Sequence, residues 1–349
     1  MFNKITEEIK NYARAYTSAF LVFCVVSFLG LFFFWIWLSH SAGIDGVKTE
    51  IKKLQTSFNA SGYDIAYDNV DIDYFSISNA VVFKNVKIYK LASTGYFEWN
   101  IPELIVNPGF FNAGKITLKL SPKQLLKTDD DKTFNVSVPD AKIILGFNEQ
   151  GLAKAETNIK NINIENIAKI DELKLAAQRM APQQTNELTP FFENHIDIKG
   201  ITFSDELNAK APKRIEKLYL NANLIGAIKF ARTYGESLKV WQKLGGMVDV
   251  KKLILHWEPI NMVAKGELYF NDKFEPTLQL NTSSKGMIEM LDTMQEAEIL
   301  DSKGVFVVKI LLNNKGFYLS EGDEVKTVTT PLSINKRDIT LENISIKAF

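Results

Sequence analysis

The stretch Tyr63-Asp64-Ile65-Ala66-Tyr67-Asp68-Asn69-Val70-Asp71-Ile72-Asp73 decides the fold class. Its apolar side chains recur at every second position, Ile65 and Tyr67, then Val70 and Ile72, with Asp and Asn between them. A period of two is the mark of a strand that buries one face and wets the other. Tyr74 and, further on, Val82, Val86 and Ile88 extend the pattern. Asp71 and Asp73 then share the solvent face of a strand. With Asp68 they match no calcium-loop spacing, so no metal site is expected.

A short phrase recurs outward from this stretch: a polar pair, then apolar-polar-apolar. It reads Lys84-Asn85-Val86-Lys87-Ile88, Lys160-Asn161-Ile162-Asn163-Ile164, Lys199-Gly200-Ile201-Thr202-Phe203 and Glu342-Asn343-Ile344-Ser345-Ile346. The irregular spacing excludes a solenoid of fixed period. The phrase points to a body assembled repeatedly from antiparallel strands with one buried face. Further strands are expected at Leu104–Val106, Lys115–Leu120, Phe134–Val138, Ala141–Phe147, Ile196–Phe203, Ile215–Leu224, Val248–Trp257, Met262–Phe270 and Thr277–Asn281. Val305 to Leu312, nearly all apolar, reads as a strand covered on both faces, and Val325–Thr329 and Ile339–Ile346 as the last strands.

Three segments of the body read as helical. Ile167 to Met180 is Ala- and Leu-rich. Ala227 to Leu244 repeats Ile228, Ala231, Tyr234, Leu238, Trp241 and Leu244 at helical steps, with Gly245-Gly246 to stop it. A third, with Met287, Met290, Leu291 and Met294, would be capped by Ser283 or Ser284. The polar run from Ala181 suggests a linker between two halves.

Before the body lies Ser18 to Leu38, 21 residues without a charge, an amide or a proline. A helix of that length spans about 30 Å, the hydrocarbon thickness of a bilayer. Ser18, Cys24, Gly30, Trp35, Trp37 and Leu38 mark this transmembrane span. Lys4, Lys10 and Arg14 precede it and no Lys or Arg lies in residues 39–46, which puts the N-terminus in the cytoplasm. Cleavage after Ser41 is the alternative, but the apolar core is longer than a signal peptide's. Val47, Ile51, Leu54 and Phe58 then give a juxtamembrane helix, with Gly62 as its stop.

The expected architecture is therefore α+β, mainly antiparallel β: one N-terminal transmembrane helix, then a β-rich extracytoplasmic body with a few amphipathic helices. Its parts are residues 1–17 in the cytoplasm, 18–38 in the membrane, 39–62 as stalk, 63–180 and 196–349 as two β-rich halves, and 181–195 as linker.

Composition narrows the function. The 349 residues carry 41 Lys plus Arg and 41 Asp plus Glu, so no basic excess points to nucleic acid. Cys24 is the only cysteine, which leaves the body no disulfide and no cysteine-ligated metal. Phosphate loops, nucleophile elbows and H-E-x-x-H are absent. The histidines are His40, His195 and His256, and no catalytic residue, cofactor or metal ligand is assigned. Phe110-Phe111 and Phe191-Phe192 stand outside the alternation and are candidates to rim an apolar groove or touch the membrane.

Two sets of motifs resemble a known family. The first is Gly95-Tyr96-Phe97-Glu98-Trp99-Asn100-Ile101-Pro102 with Leu118-Lys119-Leu120-Ser121-Pro122-Lys123-Gln124. The second is Trp241-Gln242-Lys243-Leu244-Gly245-Gly246, leading to Val250-Lys251-Lys252-Leu253-Ile254-Leu255-His256-Trp257-Glu258-Pro259, then Ala264-Lys265-Gly266-Glu267-Leu268 and Phe274-Glu275-Pro276. The chain resembles the alphaproteobacterial envelope proteins that carry domain of unknown function 2125. Glu258, where a glycine would commonly follow the Trp, departs from the pattern and bears on the turn there. More loosely, the strand phrases are similar to those of AsmA-like envelope proteins, whose long curved sheets handle lipid.

The resemblance implies no catalytic residues. The expected function is that of an inner-membrane protein with a periplasmic body, binding lipid or an envelope protein in envelope assembly or maintenance. A scaffold with a filled core and a periplasmic hydrolase are the alternatives.

Overall fold

The alternation that opens at Tyr63 becomes strands throughout the body. The computed structural model describes residues 63–73, 80–92, 95–108, 114–128, 132–148, 151–180, 188–204, 213–226, 234–271, 276–296, 300, 302–316, 327–335, 338–341 and 344–347. The 18–38 span, the 39–62 stalk, and Phe110 and Phe111 lie outside them. Among the described residues no helix is long and apolar enough to cross a membrane.

All the strands among the described residues join one sheet of 18. The first set is β1 (Tyr63–Ala66), β2 (Asn69–Asp73), β3 (Ala80–Ala92), β4 (Gly95–Pro108), β5 (Lys115–Leu120), β6 (Lys123–Thr128), β7 (Thr133–Ser137) and β8 (Ala141–Asn148). Then follow β9 (Gly151–Ile164), β10 (Ala168–Arg179), β11 (Pro190–Phe203), β12 (Arg214–Ile225), β13 (Met247–Trp257), β14 (Ile260–Phe270), β15 (Pro276–Lys285), β16 (Thr327–Asn335), β17 (Asp338–Leu341) and β18 (Ile344–Lys347). Every pairing is antiparallel. β1 and β2 pair in turn along one β3, β5 and β6 along one β4, and β7 and β8 along one β9. Each of these couples is a single pass of the chain with a kink in it. The whole body is therefore one meander in which each pass pairs with the next.

The kinks are aligned. The flanking registers set Asp68 opposite Asn85, Asn85 opposite Pro102, and Pro102 against the Ser121-Pro122 kink. The line continues through the Val138-Pro139-Asp140 kink to Asn161, Asp171, Gly200 and Glu216. Asn85, Asn161 and Gly200 adopt left-handed backbone, with φ of 53°, 55° and 62°. Those are the residue types that tolerate it best. The recurring sequence phrase thus marks a crease running across the sheet from β1 to β12.

The crease resets the side-chain alternation by one residue in every pass it crosses. Apolar partners that share a face are three apart there: Phe83 and Val86, Ile101 and Leu104, Ile159 and Ile162, Ile170 and Leu173, Ile198 and Ile201, Ile215 and Leu218. One apolar face therefore continues on both sides of the crease. Buried residues from both sides, among them Phe83, Leu104 and Leu118 above and Ile88, Trp99 and Leu126 below, form a single core in β1–β9. The Trp99 indole N–H donates to Gln124 Oε1 at 2.9 Å, and Gln124 Nε2 donates to the Ser121 carbonyl at 3.0 Å, which ties the core to the crease.

A second core closes the far end. Helices α2 (Met287–Glu296) and α3 (Ser302–Lys315) cover the apolar face from β14 to β18. Val305, Val308 and Leu312 are fully buried there against Met290, Leu291 and Val328. Helix α1 (Tyr234–Lys243) joins β12 to β13.

Four expectations are corrected. Residues 168–179 are strand β10, not a helix: the crease spaces Ile170 and Leu173 like helical neighbours, but ladders on both sides override the propensity. Residues 302–315 are helix α3, not a strand: with 0% exposure at 305, 308 and 312, the buried positions follow helical steps. Pro190 to His195, included in the linker, open β11, and the sheet runs straight through. Ser283 and Ser284 lie inside β15, and α2 starts after Gly286. The expected mainly antiparallel body is observed.

Candidate functional site

Between these two cores lies a stretch of the apolar face, on β10–β12, over which no helix packs among the described residues. At its β13 side Ala222 and Val250 are buried, at 2% and 5% exposure, and Val250 joins Ala264 and Leu280 in a smaller third cluster against which Leu220 and Leu253 pack. Among the described residues, β10, β11 and β12 pack against their ladder neighbours, while α2 and α3 lie further along. The registers define successive rungs across this stretch. Nearest the crease runs Ile159–Leu173–Ile198–Leu218–Leu255, and next Thr157–Leu175–Ile196–Leu220–Leu253. Then comes a rung of small residues, Ala155–Ala177–Asn194–Ala222–Val250, and at the rim Arg179–Phe192–Leu224–Val248.

Leu175, Ile196, Ile198 and Leu218 are half-buried and belong to neither core. Their neighbours along and across the strands cover their flanks. The result is an apolar strip on β10–β12, here called the trough, that lies between the β1–β9 core on one side and the α2–α3 core on the other. Strands about 4.8 Å apart make it wide, and roughly 3.3 Å per residue makes the run from Leu173 to Arg179 about 20 Å long.

The opposite face of the same strands is charged. Glu172 lies between Lys199 Nζ at 3.1 Å and Lys174 Nζ at 3.2 Å, and Lys199 first, then Lys174, holds its carboxyl below the usual carboxylate range. Arg214 spans the crease, donating to Asp171 Oδ2 at 2.9 Å, Glu216 Oε1 at 2.7 Å and Thr202 Oγ1 at 2.9 Å. This face needs no cover, so the trough has one wettable side and one that water disfavours.

The predicted contact residues divide. Phe192 sits on the trough rim and packs against the first core. A bulge at β11 sets Pro190 and Phe192 against consecutive residues of β12, leaving Phe191 as the extra residue. Their rings meet edge to face at 4.9 Å, and the Arg179 guanidinium lies 4.9 Å over the Phe191 ring. Sequence reasoning singles out the aromatic pair as a candidate contact surface. It missed the leucine and isoleucine rungs, which look like ordinary core until a covering layer is sought.

The rim is closed at one corner by α1. The Trp241 indole N–H is shared by the carbonyls of Ile225, at 2.8 Å, and Gly226, at 3.1 Å. The Gly246 N–H bonds the Trp241 carbonyl at 2.8 Å and the Gly245 N–H that of Gln242 at 3.0 Å, with Gly245 at φ 82°. This is the Schellman arrangement. The Trp-Gln-Lys-Leu-Gly-Gly run is thus a helix stop fastened to the end of β12, a structural motif at the mouth of the trough.

His195 contacts Glu193 at 3.2 Å on the charged face and His256 lies opposite Lys217, two strands away in another rung. Among the described residues no group of three or more His, Cys, Asp or Glu is placed to hold a metal ion. Glu258-Pro259 makes a two-residue turn between the paired Trp257 and Ile260.

The model of uncharacterized proteins conserved in bacteria, DUF2125, matches residues 44–346. The chain belongs to this family. No curated protein and no solved structure matches it. The matched residues take in the crease, the trough and both cores, so the described part of the DUF2125 region is this creased sheet with its helices.

Proposed function

We propose that this DUF2125 protein is a membrane-tethered envelope protein whose trough holds the acyl chains of a lipid. The carrying observation is the set of half-buried apolar rungs on β10–β12 between two filled cores. A continuous apolar surface of this size costs about 25 cal/mol for each Å² left in water. On a paired sheet it is also an aggregation hazard unless something covers it. Acyl chains lying along the strands fit the aliphatic rungs of Leu173, Leu175, Ile196, Ile198 and Leu218, and the Asn194 amide on the next rung is turned to the carbonyls of Phe192 and Ala222. The uncharged 18–38 stretch supports the same reading, since a helix there tethers the body beside a supply of lipid in the inner membrane, on the periplasmic side. A filled-core scaffold accounts for β1–β9 and β14–β18 but not for the middle of the sheet.

The test is native mass spectrometry of the full chain purified from membranes in mild detergent. Diacyl lipid retained by the wild type and lost by Leu175→Glu/Ile196→Glu, with the circular dichroism of both unchanged, is the expected result. A wild type free of lipid, or a variant that keeps all of it, overturns the proposal.

A further inference from the structure

The outer face of β13, opposite the trough side, carries a bulge made of lysines. Val250 pairs with Gly266 and Leu253 with Ala264, so Lys251 and Lys252 together oppose Lys265. Two residues set against one is the form of a β-bulge. All three lysines are exposed. Asp249 holds Lys251 at 2.5 Å. Lys252 and Lys265 have no hydrogen-bond or ion-pair partner among the described residues. Like charges set opposite one another destabilise a sheet. The cluster therefore weakens the fold and finds no compensating anion within it.

The neighbouring rungs carry the same sign. Across β12–β15 the registers give Lys217–His256–Asn261–Lys285, then Tyr219–Ile254–Val263–Ser283, then Asn221–Lys252 beside Lys265–Asn281. None of the three holds an Asp or Glu. Lys217 leans on the Tyr219 ring at 5.9 Å and Lys285 is engaged elsewhere, so the weight falls on Lys252 and Lys265. The acids nearby border the patch: Asp249 and Glu267 on the next rung, Glu258 in the turn, and Asp197 opposite Tyr219 on β11. In the middle Val263 is 47% exposed, opposite the half-buried Ile254. Side chains standing from these rungs spread their charge over about 13 Å along the strands and about 15 Å across them. Cations spread over an area around an exposed valine match an extended anionic surface with an apolar layer beneath it, which is what a bilayer with anionic headgroups presents.

We infer that the outer face of β12–β15 docks on a bilayer surface bearing anionic headgroups, with Lys252 and Lys265 against the phosphates and Val263 toward the acyl boundary. The inference does not rest on the lipid reading of the trough, and it uses the proposed tether only for reach. The chain from 39 to 62 spans at most about 80 Å when fully extended, and the ladder from β1 to β13 covers about 45 Å. A body tethered through residues 18–38 is thus free to lie on this face.

The test uses the full chain with Cys24→Ser, which removes the only native thiol, and Ser283→Cys, on the exposed middle rung. The new thiol is labelled with the environment-sensitive dye NBD. The chain is reconstituted with vesicles of dioleoyl phosphatidylcholine alone, or of an equal mixture with dioleoyl phosphatidylglycerol. Flotation reads whether the chain is membrane-bound, and NBD emission reads whether position 283 lies in the headgroup layer. The emission is expected to shift to the blue in the mixed vesicles only, and to shift back in high salt. Lys252→Gln/Lys265→Gln is expected to lower the ratio of docked to undocked body about thirtyfold, the worth of two lysines at an anionic surface. Its flotation and circular dichroism should be unchanged. A chain that floats with the mixed vesicles without a blue shift, or a shift that the double variant keeps, overturns the inference and leaves the tether standing. A chain that floats only with the mixed vesicles, blue-shifted, supports the inference and removes the tether. A chain that floats with neither overturns both.

Discussion

Asp171 and Gly200 face each other across β10 and β11 on the crease, and the Asp171 carboxylate occupies the place a β-carbon on Gly200 would need. An added methyl group there would stand 2.0 Å from Asp171 Oδ2 and 2.8 Å from Arg214 Nη2. The same residue holds φ at 62°, where a side chain is strained regardless of space. Gly200→Ala is therefore expected to destabilise the body by roughly 2–4 kcal/mol, the sum of a left-handed backbone and a displaced carboxylate. Asn161→Gly, at φ 55° where glycine is at ease, should change stability by less than about 1 kcal/mol. Urea midpoints of the two variants check this; equal losses would mean that the crease is not built as described.

At the mouth of the trough, Gly246 cannot gain a side chain because the Trp241 indole lies over it, 2.3 Å from where a β-carbon would be. Gly246→Ala should expel the indole and with it both bonds to the end of β12. The expected loss is about 2–3 kcal/mol, and Trp241→Phe should cost a similar amount by leaving two carbonyls without their donor. If either variant melts within a degree or two of the wild type, α1 is not fastened to β12 through this ring.

The strand periodicity that opens at Tyr63 made the antiparallel character of the body legible from sequence, because each strand buries one face. The crease was visible as a phrase but not as geometry. Asn85, Asn161 and Gly200 lie in strands whose pairing, set by ladder partners far away in the chain, is what aligns them into a line. The misreading of residues 168–179 has the same origin, since the reset at Asp171 imitates a helical step. The trough was hidden for a different reason: a fully buried leucine and a half-buried one have the same sequence signature. Phe191 and Phe192 stood out only because a bulge breaks the alternation.

Covered and uncovered apolar positions should respond differently to truncation. Leu118 is 1% exposed inside the first core, and removing its side chain leaves a cavity that close-packed neighbours cannot fill. Leu118→Ala should cost roughly 3–4 kcal/mol. Leu175→Ala removes a similar group from a half-buried position on the trough floor and should cost about 1 kcal/mol in lipid-free protein. A comparable loss at Leu175 would show that another layer of the protein lies over the trough.

Acid should weaken the pairing of β10 with β11. Lys199 and Lys174 hold Glu172 below the ordinary glutamate value of about 4.3. A group whose folded pKa is depressed contributes stability that is present above its unfolded pKa and lost as pH falls through the folded one. Stability should therefore fall as pH drops below about 4.3, and fall less steeply in Glu172→Gln, which has no proton to take up. Denaturant midpoints from pH 6 to pH 3 test this; parallel curves for the two proteins would remove Glu172 from the acid response.

The helix at 302–315 can be told from the strand that its apolar composition suggests by a pair of lysine substitutions. On a strand, positions 306 and 308 would share a face and answer alike. On α3 they do not: Phe306 is 66% exposed and Val308 is 0% exposed between Val305 and Leu312. Phe306→Lys should leave stability within about 0.5 kcal/mol, as a surface change does. Val308→Lys puts an ammonium group into the second core with no partner there, a change that should cost more than about 4 kcal/mol or prevent folding. Matching soluble yields and melting temperatures for the two variants would restore the strand, and the apolar face of β14–β18 would then lose the cover that ends the trough.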